Sequence, residues 1–330
     1  MCQINTVRGP VPCTELGTVL AHEHLFVTDP QLEENFPGLA WDEADGQRRA
    51  ADQFRAVERA GVGTMVDLTV MGLGRSISRV IDVAARTPVH IVAATGYYTM
   101  DQLASYFESR GADGALGMAG HSDPLPGLFV AEIESGIANT AVKAGVIKVS
   151  SDARGIGPAV RRVIEAAAEA HGRTGVPIFT HSDAPARTGL DQLTLLTDLG
   201  VPASRVLIGH CDNAGDEGYL RELMDAGASI GIDQFGFDRT ASDAERIDLV
   251  CSLIDQGYAD SVVISHDSHV MVTKYSPTER TRLWPNWCPT WIFDYALPQF
   301  AERGLAEVVT QTILRENPQR LLRSRQCEES

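Results

Sequence analysis

Apolar residues, with Val and Ile prominent, recur in eight short blocks at 18–24, 63–69, 89–96, 145–150, 176–181, 205–210, 228–233 and 261–267. The blocks do not alternate cleanly between apolar and polar. That pattern predicts strands buried on both faces, as in a parallel sheet. Between them, 44–60, 76–85, 158–174, 190–199, 216–226 and 244–256 carry apolar residues at helical spacing. Gly61, Gly175, Gly200, Gly227 and Gly257 follow directly on helical segments, where a left-handed C-terminal residue is favoured. Strand, loop, helix, glycine, strand is the rhythm of β/α units. Eight units predict one closed (β/α)8 barrel, a TIM barrel, spanning 1–330 as a single domain. An open doubly wound sheet is the runner-up, but no G-x-G-x-x-G follows the first strand. Two regions break the rhythm. Residues 101–135 are rich in Gly and Pro and read as an extended excursion. Residues 268–298 hold Trp284, Trp287 and Trp291 and read as a loop covering the substrate.

Composition narrows the class of function. The 330 residues carry a net charge of −16, with a pI near 4.9. Such a chain is a poor match for a nucleic-acid backbone or an anionic membrane. No apolar run approaches membrane-spanning length, and the start has no basic or apolar leader, so a cytoplasmic protein is expected. The six cysteines are far apart and read as reduced, mostly buried thiols. Only three lysines are present: Lys143, Lys148 and Lys274.

The candidate chemistry lies at the C-terminal ends of the expected strands. The first ends in His22-Glu23-His24, and residues two apart on a strand share a face. The fourth carries Lys148. The fifth and sixth end in His181 and His210, and the eighth ends in Ser265-His266-Asp267. Alone, His181 or His210 reads as a packed core residue, and Asp267 as a helix cap. Their joint placement at the rim where barrel active sites form points to a metal centre instead. His266, facing opposite to Asp267, reads as packing. Four imidazoles and a carboxylate can hold two cations, and something must bridge them. A buried lysine has its ammonium form disfavoured. Its neutral amine can add carbon dioxide and become an anionic carbamate with two oxygens.

These residues sit in motifs that resemble the phosphotriesterase-like lactonases, within the phosphotriesterase branch of the amidohydrolases. The resemblance runs through Asn5-Thr6-Val7-Arg8-Gly9-Pro10, His22-Glu23-His24, Asp67 to Arg75, Ala94 to Thr99, Ala144 to Lys148, Ile208 to Cys211 and Ser265-His266-Asp267. It implies a (β/α)8 barrel, a homodimer and two divalent metals, zinc first with iron, cobalt or manganese as alternatives. It also implies that His22, His24 and Asp267 hold the buried metal, that His181 and His210 hold the exposed one, and that N6-carboxylated Lys148 bridges them. Tyr98 matches the tyrosine that places the lactone, so Asp267, Tyr98 and Lys148 are the expected catalytic residues. The implied activity is opening of N-acyl homoserine lactones or related γ- and δ-lactones, hence quorum quenching, with side activity on phosphotriesters. An esterase or phosphotriesterase with another natural substrate is the alternative; a silent metal-binding barrel is the non-enzyme reading. The chain departs from the pattern at Gln234, where lactonases carry arginine, and at Asp267-Ser268-His269, where they carry Asp-Cys-Cys. Tyr98, Gln234, His269 and Trp287 are the candidate substrate contacts.

Overall fold

The computed structural model describes residues 2–37 and 42–323. The chain starts with an antiparallel hairpin, β1 (Gln3–Thr6) and β2 (Gly9–Pro12). Parallel strands follow: β3 (Thr18–Val27), β4 (Val62–Asp67), β5 (His90–Gly96), β6 (Val146–Ser150), β7 (Ile178–His181), β8 (Val206–Gly209), β9 (Ser229–Ile232), β10 (Val262–Ile264) and β11 (His269–Val272). Their order is β10-β9-β8-β7-β6-β5-β4-β3-β11. The eighth expected strand is therefore two pieces. β10 pairs with β9, and β11 pairs with β3. Between them Asp267 N donates to His22 O at 3.0 Å, and His24 N to Ser268 O at 2.8 Å. This interrupted strand zips onto the free edge of β3 and closes the (β/α)8 barrel.

Two apolar layers hold the barrel. Val19, Ala21, Val66, Val92, Val146, Phe179, Leu207 and Val263 share the inner cluster with Leu16, Leu321 and Leu322. Leu20, Met65, Ile91, Ile147, Ile178, Ile208 and Ile230 pack in the larger cluster with the surrounding helices. Neighbouring residues of one strand thus fall in opposite layers, as the two-residue period demands.

The helix Pro158–Thr174 matches expectation and ends on Gly175 at φ 71°. The excursion is more ordered than expected. It contains Ser105–Glu108, Ala115–Met118 and the eleven-residue helix Pro124–Glu134. Pro124 reads as a breaker in sequence, yet proline is favoured at the first helical position. Asp123 caps that end by accepting from Leu125 N at 3.0 Å. Among the described residues Cys13, Cys211, Cys251 and Cys288 are free thiols, whereas Cys2 is disulfide-bonded. The expectation of reduced cysteines is corrected at Cys2. Among those residues, too, no helix is long and apolar enough to cross a membrane.

One buried ion pair ties the helical ring to the site. Arg246, fully buried, donates to Asp212 Oδ2 at 2.5 Å, Asp243 Oδ1 at 3.3 Å and Phe237 O at 2.8 Å. Asp212 follows His210 by two residues. Arg246→Ala leaves its carboxylate buried and uncompensated. A loss of about 3–5 kcal/mol is expected, read as a lower urea midpoint at unchanged slope.

Candidate metal centre

A bulge aims the first histidine pair. Leu20 pairs with Met65 and Glu23 with Asp67, so β3 spends three steps where β4 spends two. The extra residue reverses the inward phase. Val19 and Ala21 face the barrel interior below it; His22 and His24 take over above it. Two other site residues sit at positive φ, His210 at 60° and Asp267 at 51°. Such backbone is costly for residues other than glycine and clusters at functional sites. Gly209 is required beside them, since a Cβ there would lie 2.4 Å from Thr180 O and 3.0 Å from Asp233 Oδ2.

The side chains converge. His22 Nδ1 lies 2.6 Å from Asp233 Oδ2, and His210 Nδ1 lies 2.9 Å from Asp233 Oδ1. His24 Nδ1 lies 3.0 Å from Thr69 Oγ1, whose hydroxyl donates to Asp67 at 2.6 Å. All three rings thus spend Nδ1 outward and turn Nε2 inward. His24 Nε2 is 3.3 Å, and His22 Nε2 3.6 Å, from Asp267 Oδ1. His181 Nδ1 is 2.8 Å from His210 Nε2. Lys148 Nζ lies 3.1 Å from His22 Nε2 and donates to Thr180 O at 3.2 Å. Ligand atoms of His22, His210 and Asp267 fall within 4.8 Å of one another, as do those of His24, Asp267 and His269.

Burial dominates the electrostatics. It pushes His22 down to about 4, helped by Lys148 and opposed by Asp233. It pushes Lys148 down to about 8 against the pull of Asp233 and Asp267. His181 falls well below its ordinary value through burial and its neighbour His210. His210 moves upward, because Asp233 and Asp267 together outweigh burial. Burial likewise raises Asp267, but His210, His24 and His22 overcome it and hold the carboxyl well below the usual range. The imidazoles that stay neutral keep the lone pairs a cation needs, and the carboxylate stays charged. Rings tied outward through Nδ1 match the way metal-ligating histidines are oriented. The donor set fits divalent cations.

The family model described as the phosphotriesterase family matches residues 2–322. The chain belongs to the phosphotriesterase family. It is a metal-dependent hydrolase acting on ester bonds. A phosphotriesterase homology protein of Mycobacterium tuberculosis is 39% identical over 321 residues, 97% of this chain and 98% of that protein. An aryldialkylphosphatase of Saccharolobus solfataricus is 36% identical over 315 residues, 95% and 97% of the two chains. The solved phosphotriesterase of Mycobacterium tuberculosis superposes with a TM-score of 0.93 at 38% identity, covering 97% of this chain and 98% of that one.

In this phosphotriesterase-family hydrolase the other sequence candidates lie around the centre. Tyr98 sets its ring edge against His181 at 5.4 Å. Gln234 Nε2 donates to Asp267 Oδ2 at 3.3 Å. His269 stacks on His24 at 5.1 Å and meets the edge of Trp287 at 4.8 Å. Trp287 is buried, donates to His266 O at 2.8 Å and packs on Phe237. Its ring meets the centre at His269. Residues 268–298 open with β11 and include the helix Pro277–Leu283, so much of this stretch is regular structure. Two carboxylates escaped the sequence reading. Asp233 clamps two rings at once. Glu23 accepts from Ser265, His266 and Ser268 side chains at 2.6–2.9 Å and fastens the closing strand. Their sequence signals were, for Asp233, a strand-end position at the start of the Asp233-Gln234-Phe235-Gly236 segment and, for Glu23, a place between two histidines.

Proposed function

We propose that the chain opens lactones, N-acyl homoserine lactones or related γ- and δ-lactones, at a two-metal centre. His22, His24, His181, His210 and Asp267, with an N6-carboxylated Lys148, would hold the two ions. The observation that carries this reading is the inward convergence of those six side chains on one rim. Two divalent ions bound there, zinc first, would supply hydroxide at neutral pH and a positive charge beside the carbonyl oxygen. Lys148 forms its bridge when the neutral amine adds carbon dioxide at nitrogen and releases a proton. Asp267, held on one oxygen by Gln234, takes the proton freed on attack and returns it to the leaving alkoxide. Tyr98 offers its hydroxyl to the oxygen that gains charge. An acyl tail has room beside the centre. A cavity of about 870 Å³ includes Val27, Met71, Leu73, Tyr97, Tyr98 and Phe107 in its wall, the apolar lining a tail requires. Homodimeric assembly and a cytoplasmic setting belong to the same proposal, on the family resemblance and the acidic composition.

The test is a side-by-side panel of kcat/KM on an acyl homoserine lactone series, a δ-lactone, an aryl ester and a phosphotriester. Lactones are expected to lead, with efficiency rising as the tail lengthens. A phosphotriester or simple ester in first place would defeat the lactonase assignment and leave the hydrolase family intact.

A further inference from the structure

The ligand set that the family resemblance implies has no place for His269, which stands where those lactonases carry cysteine. The ring is nevertheless built into the centre. His269 pairs in register with His24 across β11 and β3. The two imidazoles stack at 5.1 Å with 15° between their planes. The edge of Trp287 closes the ring from the side, and Arg280 holds both the His269 and Trp287 carbonyls. Its Nδ1 is buried and has no hydrogen-bond partner among the described residues. An orphaned buried nitrogen is costly. Ligand atoms of His24, Asp267 and His269 lie within 4.8 Å of one another. A cation shared with His24 and Asp267 would have one His269 ring nitrogen within reach.

We propose that His269 is a further nitrogen ligand of the centre, joining His24 and Asp267 on one ion. The inference rests on the two-metal reading above and adds one imidazole to it. An extra nitrogen biases the site towards late transition metals such as cobalt and zinc and against magnesium or calcium.

The test uses the metal-stripped full chain titrated with cobalt, following the visible spectrum and affinity against a competing chelator. His269→Phe keeps the stacked ring and removes the nitrogen; His269→Ala removes both. Both are expected to weaken one ion by about tenfold or more and to change its cobalt bands. A Phe variant with wild-type affinity and spectrum, whatever Ala does, reduces His269 to packing and overturns the inference. A zinc-soaked crystal of the wild type gives a reading independent of any variant. A His269 nitrogen at about 2.0–2.1 Å from zinc supports the assignment, and one beyond bonding reach overturns it. Wild type that binds two ions with no His269 contact sinks this inference alone. Wild type that binds none sinks the two-metal reading with it.

Discussion

Lys148→Ala is expected to lower kcat/KM by about a thousandfold or more and to leave the purified protein short of metal. The side chain is fully buried, with its nitrogen 3.1 Å from His22 Nε2. As an ammonium it would repel cations at this centre; as the proposed carbamate it would offer them two oxygens. On the two-metal proposal, losing that bridge would forfeit several kcal/mol of transition-state charge stabilisation, and each 1.36 kcal/mol is a factor of ten. The fold itself is not expected to suffer. Burial lowers this lysine to about 8, below its unfolded value near 10.4. The folded state therefore binds the proton less tightly, and below pH 8 the whole cost of the buried ammonium weighs on stability. That cost fades as pH rises through 8 towards 10. Removing the amine relieves it at neutral pH, so metal-free Lys148→Met is expected to melt no lower than metal-free wild type. Metal analysis, kinetics and melting curves on the same preparations check all three points. A second signature is reconstitution: metal uptake by wild type is expected to quicken with added bicarbonate, and that of the variant to ignore it. Full activity in the alanine variant would end the bridging role.

The barrel was legible because its information is local. Each strand carries its own Val and Ile run, and each of five following helices ends at its own glycine. The convergence of the candidate ligands was legible for a related reason. A barrel brings the ends of its strands together, so a histidine at a strand's C-terminal end has its neighbours fixed by topology. What escaped depends on contacts between distant positions. The bulge in β3 shows only when β3 is paired with β4. Extended without it, His22 would share the outward phase of Leu20. The break at Asp267 divides one expected strand into β10 and β11, and only the edge of β3 reveals that the second piece completes the barrel. Pro124 misled because the same residue stops one helix and starts another. Asp233 was read as the end of a strand, since its partners lie 211 and 23 residues away.

Asp233 carries the second large prediction. Its two oxygens face two different rings, His22 at 2.6 Å and His210 at 2.9 Å. Burial raises the carboxyl, but His210 and His22 outweigh it and hold it far below the ordinary range. The group is anionic when folded. The stability it adds is present above the unfolded value near 3.9 and is lost only as pH falls through the lower folded one. Asp233→Asn preserves shape but not bonding. One oxygen can still accept from one ring, while the amide N–H₂ now confronts the N–H of the other. One imidazole must turn or change tautomer, and its Nε2 no longer points inward as a lone pair. Loss of such an outer partner costs about 10–100-fold in metal affinity or activity. Asn is expected to fall in that range, and Ala, which frees both rings, well beyond it. Chelator competition with each metal-loaded variant measures the first, and kcat/KM at saturating metal the second. The ordering wild type, Asn, Ala is the diagnostic. Asn as poor as Ala would mean that charge alone matters at this position, and Asn equal to wild type would mean that neither ring depends on the clamp.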